Sequence, residues 1–181
     1  MVAEFLQEGF EIGSPGIVIA TTSQREEIVR ELTARSLDVA ALQESGDLLL
    51  LDGAEVLSAF IVHGKPDAGR FREQICDLIG RVRRRRPDCR VRIFGQMVDV
   101  LWQQEDRDAA IRLELLWNQF AQAEASMVVC GYAIGNFYKD ARFEQVYGRR
   151  SQFVSSADGQ TIPTVSAAPD AHRRRSSAKR P

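Results

Sequence analysis

Two hydrophobic patterns alternate along the chain. Short apolar runs occupy residues 17–20, 48–51, 91–94 and 126–132. Such runs are typical of strands in a parallel sheet, whose two faces are both covered by helices. Between them, apolar residues recur every three or four positions, which is the spacing of one face of an α-helix. The pattern therefore predicts an α/β fold with a mostly parallel sheet and helices on both faces.

Polar residues at the starts of the periodic segments predict where the helices begin. Ser23 and Glu26 form a capping-box pattern, S-x-x-E, and Asp52 and Asp67 suit the N-caps of two later helices. The predicted helices span residues 3–10, 23–36, 53–61, 68–86, 97–102, a segment from Asp106 or Asp108 to 120, and 137–147, and a last strand is predicted at 152–155.

The end of the chain differs in composition from the rest. Beyond residue 157 the sequence is rich in Gly, Pro, Ser, Thr and Ala, then becomes basic, and has no apolar period. Such a segment cannot bury enough apolar surface to offset the entropy lost on ordering. We therefore expect one domain over residues 1–156 and a disordered basic tail over 157–181.

Charge is unevenly distributed along the sequence. Residues 172–181 hold five basic residues and no acid, and the remaining 19 basic and 25 acidic residues give a net charge of −6. An acidic body disfavours binding to nucleic acid, except through Arg173, Arg174 and Arg175 of the tail. No run approaches the ~18 apolar residues of a membrane span, and the first ten residues lack the basic start of a signal peptide. We expect a cytoplasmic protein that does not contact membranes.

Four sequence blocks resemble the MEDS domain, the DcmR-type sensory domain of methanogens and methylotrophs. They are PGIVIATTSQREEIVRELTARSLDV, LLLLDGAEVLSAFIVHGKPDAGRF, RVRIFGQMVDVLW and RDAAIRLELLWNQF. The resemblance covers about residues 3–154. It implies a RecA/KaiC-like core and a role in sensing small organic compounds or in otherwise regulating signalling.

The chain departs from the family pattern at three places. The family usually opens with a strand that contains His and a Phe-Tyr pair, whereas this chain starts within the following helix. Either the start codon is misassigned or the sheet is one strand narrower. The Glu that often follows the glycine of the central strand is Gln96 here, and a His common near the last helix is replaced by Arg149-Arg150. These changes weaken the transfer of any family site that uses Glu or His.

Polar residues follow each predicted strand and are the first candidates for a ligand site. In open α/β sheets, ligands bind beyond the carboxyl ends of the strands. Gln96 is the central candidate, because its amide both donates and accepts hydrogen bonds. The alternative is that Gln96 caps the next helix or satisfies a loop carbonyl. The candidates at the strand ends are Thr21, Thr22, Asp52, Gln96 and Tyr132.

Aromatic residues on the predicted helices give a second set of candidates. Trp102 and Trp117, with Glu114 nearby, would provide apolar walls and a polar group, as small-molecule pockets do. The alternative is that the tryptophans belong to the hydrophobic core, which is the commoner role of aromatics at helical spacing.

Enzymatic chemistry finds little support in the sequence. The phosphate-binding motif G-x-x-x-x-G-K-[ST] is absent, and Gly13-Ser-Pro-Gly16 precedes a strand rather than a helix. Gln96 does not titrate and cannot act as a general base. Three widely spaced cysteines fit neither a disulfide framework nor a CxxC metal site. We therefore assign no catalytic residue, metal ligand or cofactor.

The sequence favours a non-enzymatic sensory or regulatory domain that binds a small organic ligand or a signalling partner. Because the chain contains no output module, such a domain would act in trans, on a kinase, on a transcription regulator or on a second copy of itself. Two alternatives stay open. One is a nucleotide-binding or ATPase-like enzyme with a non-standard site, and the other is a purely structural interaction module.

Overall fold

The computed structural model of the chain describes residues 1–84, 86–123, 126–132 and 162–167. Its helices are α1 (Val2–Glu11), α2 (Thr22–Ala34), α3 (Val39–Ser45), α4 (Gly53–Ser58), α5 (Ala68–Arg83), α6 (Met97–Gln103) and α7 (Arg107–Ala123). Its strands are β1 (Gly16–Ala20), β2 (Leu48–Asp52), β3 (Ile61–Val62), β4 (Lys65–Pro66), β5 (Val91–Gly95), β6 (Ser126–Tyr132) and β7 (Ile162–Ala167). None of these helices is both long and apolar enough to span a membrane.

Five of the described strands form one sheet, in the order β2-β1-β5-β6-β7. The first four run parallel, and β7 pairs with β6 in the antiparallel direction. In the register, Ile17 lies between Leu49 and Ile93, and Ile93 pairs with Val128. The predicted α/β fold with a mostly parallel sheet is therefore confirmed, and its four predicted strands lie side by side.

The apolar side chains of the four parallel strands alternate between two separate hydrophobic clusters, because successive strand residues point to opposite faces. Val18 and Ala20 of β1 pack with residues of α1, α2 and α3 on one side, which we call the first face. Ile17 and Ile19 pack with residues of α4, α5, α6 and α7 on the other side, the second face. Burial on both sides explains why these strands read as apolar runs rather than as alternating patterns.

Aromatic rings on α5 and α7 form the centre of the second-face cluster. Phe71 meets Trp117 edge to face, with ring centroids 5.0 Å apart, and Phe120 lies 6.0 Å from Phe71 in the same type of contact. Phe60 approaches Phe71 from the other side at 5.3 Å. These edge-to-face contacts hold α5 and α7 together on the second face of the sheet.

Arg92 of β5 anchors α1 to the first face. Its side chain is buried, and Nη1 donates hydrogen bonds to the carbonyl of Phe5 and to Glu8 Oε2, the latter at 3.1 Å. The guanidinium also lies over the Phe5 ring. A Cβ on Gly9 would stand 2.6 Å from Arg92 Cδ, so the close approach of α1 requires a glycine there.

The start of α2 differs from the prediction. Its N-cap is Thr21, whose hydroxyl accepts a hydrogen bond from the Gln24 N–H, and the capping box predicted at Ser23 and Glu26 is wrong. The chain leaves β1 in an extended conformation at Thr21 and turns helical at once, so Ser23 already lies in the first turn. The caps predicted at Asp52 and Asp67 are confirmed.

The segment after Asp52 also differs from the prediction. The helix expected over 53–61 ends at Ser58, and β3 and β4 form a separate two-stranded hairpin. Its two turn residues, His63 and Gly64, have φ angles of 50° and 77°. A short apolar segment fits a strand as well as a helix, which explains the error. Helix α3 was not predicted.

The C-terminal part of the sequence is described only at β7. Residues 162–167 form this strand, whereas their composition predicts a disordered tail. Isolated from β6, the segment has no apolar pattern that marks it as a strand. The helix predicted at 137–147 and the strand predicted at 152–155 lie outside the described residues.

Candidate functional site

The carboxyl end of β1 lies where the chain diverges to opposite faces of the sheet. After β1 the chain passes to α2 on the first face, whereas the helices after β2 and β5, α4 and α6, lie on the second face. Because β2 and β5 flank β1, a crevice opens between helices that leave in opposite directions. Ligands of open α/β proteins bind at such switch points.

Gln96 and Thr21 meet across this crevice. Gln96 Oε1 accepts hydrogen bonds from the Thr21 N–H at 3.3 Å and from the Thr21 hydroxyl at 3.4 Å. The Gln96 side chain is buried and makes no side-chain cap bond to α6. Within the described residues, its amide nitrogen donates no hydrogen bond. Gln96 therefore supports the N-cap of α2 through its oxygen and retains a donor group at the crevice.

Arg25 connects the ends of β1 and β2. Its Nη2 donates to Thr22 Oγ1 at 3.0 Å and to Asp52 Oδ2 at 3.2 Å. Asp52 Oδ1 in turn accepts from the backbone N–H groups of Ala54 and Glu55 at the start of α4. The ion pair is partly exposed, at 21% for Arg25 and 34% for Asp52, so solvent reaches it. It joins a helix on the first face to a helix on the second.

A groove of about 560 Å³ runs from this ion pair along the exposed side of α2. Its wall combines apolar side chains from α2 and β2 with charged side chains from α2. The residues that line it are Thr22, Arg25, Glu26, Val29, Arg30 and Leu50. Thr22 and Arg25 belong to both the groove and the polar cluster at the strand ends, so the two form one continuous surface.

Comparison with protein families identifies what kind of domain carries this crevice. The model of the MEDS family, described as the methanogen/methylotroph DcmR sensory domain, matches residues 1–147. The chain belongs to the MEDS family. The expectation from the sequence blocks is thus confirmed, and MEDS is a family of sensory domains. Comparison with curated proteins gives no match.

The crevice of this MEDS domain brings together four of the eight predicted site residues. Thr21 and Gln96 are in direct contact, and Thr22 and Asp52 are joined by Arg25. Tyr132 ends β6 at the same edge of the sheet, two residues beyond Cys130, which pairs with Gly95. The backbone register thus places four strand ends in one row.

The helical candidates lie on the second face of the MEDS domain, on α6 and α7. Trp117 is 2% exposed and packs on Phe71, Phe120 and the backbone of Gly95, as expected for a core residue. Trp102 is buried with the Arg107 guanidinium over its ring, and Glu114 is buried on α7. Trp102 and Trp117 therefore belong to the hydrophobic core of the second face.

Arg25 is the contact that the sequence analysis missed. It lies on the polar side of the periodic segment that forms α2, where an arginine is usually solvated. Its contact with Asp52 joins residues 27 positions apart in the chain. The contact depends on β2 lying beside β1, and this strand order could not be predicted from the sequence. The available signal was its position three residues after Thr22, in the first turn that follows a predicted strand.

The described part of the chain shows no cluster of three His, Cys, Asp or Glu residues that could hold a metal ion. Cys76, Cys89 and Cys130 form no disulfide with one another, and of the three only Cys76 is exposed. The chemical groups at the crevice are thus an amide, two hydroxyls, a guanidinium and a carboxylate. This set is suited to hydrogen bonding and charge pairing with a ligand.

Proposed function

We propose that this MEDS domain is a non-enzymatic sensory unit that binds a small organic ligand at the carboxyl ends of β1, β2 and β5. The observation that carries the proposal is the contact between Thr21 and Gln96, at the point where α2 and α6 leave the sheet on opposite faces. Gln96 offers its amide nitrogen there, and the adjoining groove has the volume of ordinary ligand pockets, which is roughly 300–1,000 Å³.

Recognition rather than chemistry suits this set of side chains. Neither the Gln96 amide nor the threonine hydroxyls titrate near neutral pH, and Asp52 is engaged in capping α4 and pairing with Arg25. The sequence lacks the glycine-rich loop and lysine that nucleotide hydrolysis by a RecA-like core would need. These side chains therefore support binding of a ligand without its chemical conversion.

The signal would pass to another protein. In this proposal residues 1–156 together with β7 constitute the sensory domain, and the basic residues near the C-terminus form a tail. The output partner is a kinase, a transcription regulator or a second copy of the chain. A ligand that binds only the folded state also stabilises it, by about 2.7 kcal/mol at a concentration of 100 times its dissociation constant. Binding is therefore measurable without knowing the partner.

The test is a thermal-shift screen of small alcohols, amides, amines and carboxylates against the full chain and two variants. Compounds that raise the Tm of the wild type should bind Gln96→Ala at least about tenfold more weakly, which corresponds to loss of one or two hydrogen bonds to a ligand. The control is Gln43→Ala, at an exposed position of α3, which should bind as the wild type does.

Two results would oppose the proposal. Equal binding of every compound to the wild type and to Gln96→Ala would remove the crevice from consideration. Steady release of phosphate from ATP by the purified protein would favour the enzyme instead, and a parallel assay at saturating ATP and Mg²⁺ provides that comparison.

A further inference from the structure

We propose that the groove along α2 selects small organic anions that carry an apolar group, such as aromatic or aliphatic carboxylates and phosphates. This inference rests on the proposed function, and it adds the chemical class of the ligand. It follows from the charges that line the groove, from the apolar wall between them and from the direction of α2.

Two guanidinium groups face one carboxylate in the groove lining, those of Arg25 and Arg30 against that of Glu26. Arg30 is exposed, and it takes no part in the ion pairs found among the described residues. A planar guanidinium binds a carboxylate or a phosphate through two parallel hydrogen bonds, which makes such anions its preferred partners.

Helix α2 adds to this preference. Thr22 is its first residue and lines the groove, so the groove begins at the positively polarised end of a 13-residue helix. The N–H groups of a first helical turn have no partners within the helix, and anions commonly bind them. The helix end and the two arginines therefore all favour binding of an anion.

The wall of the groove between the charges is apolar. Val29 of α2 and Leu50 of β2 are both half-buried, so each exposes part of its side chain to the groove. An apolar group of a ligand that covers them would leave water, with a gain of about 25 cal/mol per Å² of surface buried. A purely inorganic anion would not gain from this contact.

Arg25 already binds a carboxylate at this position, that of Asp52. A ligand anion would compete for the same guanidinium, and its arrival would weaken the link between α2 and α4. Removing the charge of Asp52 should therefore strengthen binding of anions, because it frees Arg25 and also removes a nearby negative charge. Weaker binding to Asp52→Asn would instead indicate that Asp52 itself holds the ligand, which would contradict an anionic ligand at this position.

The experiment measures binding of benzoate, phenyl phosphate, benzamide and benzylamine to the full chain by calorimetry at low salt, with circular dichroism as the check of folding. We expect benzoate and phenyl phosphate to bind at least about tenfold more tightly than the neutral and cationic analogues. Benzoate and phenyl phosphate also separate carboxylate from phosphate as the preferred group.

Single charge changes then test the groove. Arg30→Gln should weaken benzoate binding about five- to tenfold, whereas Glu26→Gln and Asp52→Asn should each strengthen it about two- to fivefold. The matched control is Glu27→Gln, which removes the same charge from the same helix outside the groove lining and should change binding less than about twofold.

The outcomes separate this inference from the proposed function. If benzamide binds as tightly as benzoate and the binding depends on Gln96 but not on Arg30, the anion preference is refuted and the sensory site stands. If none of the four probes binds at millimolar concentration, the anion inference is likewise refuted. In that case the broader compound screen, with Gln96→Ala, decides on the sensory site separately.

Discussion

At the scale of single residues, the space around a helical glycine determines the effect of replacing it more than helix propensity does. Gly9 lies in the last turn of α1, where a Cβ would stand 2.6 Å from Arg92 Cδ and 3.2 Å from the carbonyl oxygen of Ser14. Gly80 lies within α5, where a Cβ would meet nothing within 4 Å. Both glycines lie in helices, but only Gly9 is required by the packing around it.

Replacing each glycine by alanine should give effects of opposite sign. Gly80→Ala should raise the free energy of unfolding by about 0.5–1 kcal/mol, the usual advantage of alanine within a helix. Gly9→Ala should lower it by about 1–3 kcal/mol, since the buried Arg92 side chain must move to make room. Urea denaturation of both variants checks this, and equal stabilisation by both would show that Arg92 does not press against α1.

At the scale of elements, the start of α2 shows that a local capping motif does not by itself decide where a helix begins. Ser23 and Glu26 have the spacing of a capping box, but Thr21 caps the helix because β1 ends one residue before it. Thr21 is also held by Gln96 of the neighbouring strand end. The motif is local, whereas the choice between two neighbouring caps depends on the position of the strand.

Alanine substitutions at the two positions test this assignment. Thr21→Ala should lower the free energy of unfolding by about 1 kcal/mol, the typical cost of removing an N-cap hydroxyl. Ser23→Ala should change it by less than about 0.5 kcal/mol, as at other exposed surface positions. Chemical denaturation measures both, and a larger loss at Ser23 would restore the capping box.

The hairpin of β3 and β4 depends on backbone conformation rather than on contacts. Its two-residue turn has positive φ at both His63 and Gly64, the pattern of a type I′ turn. Gly64→Ala should therefore lower the free energy of unfolding by about 1–2 kcal/mol, although its Cβ would meet no atom within 4 Å. A thermal melt that matches the wild type would show that the turn adopts another conformation.

At the scale of the whole molecule, the four parallel strands are predictable because burial on both faces requires a continuous apolar run in each strand. These runs lie around Ile17, Leu49, Ile93 and Val128. The pairing of β7 with β6 and the contact of Arg25 with Asp52 have no such local sequence pattern, since each depends on which strands become neighbours. The strand-end candidates Thr21, Thr22, Asp52 and Gln96 were predictable for the same reason as the strands. The groove was not, because it forms between α2 and an adjacent strand.

The order of the strands also predicts how protection from hydrogen exchange varies across the sheet. β1 and β5 each lie between two strands and are buried along their whole length, whereas β2 forms one edge of the described sheet and is half-buried over four of its five residues. Amides of residues 16–20 and 91–95 should exchange only on global unfolding, and those of 48–52 at least about tenfold faster, through local opening of the edge.

Mass spectrometry of peptic fragments at several concentrations of the full chain measures this difference. Protection of β2 that equals that of β1 at every concentration would contradict the edge position and indicate that another part of the same chain covers it. Protection of β2 that rises with concentration would instead indicate pairing between copies along this strand, since an uncovered strand edge is a ready template for another strand. Because Leu50 of β2 lines the groove, such pairing would also bring the second copy next to the proposed ligand.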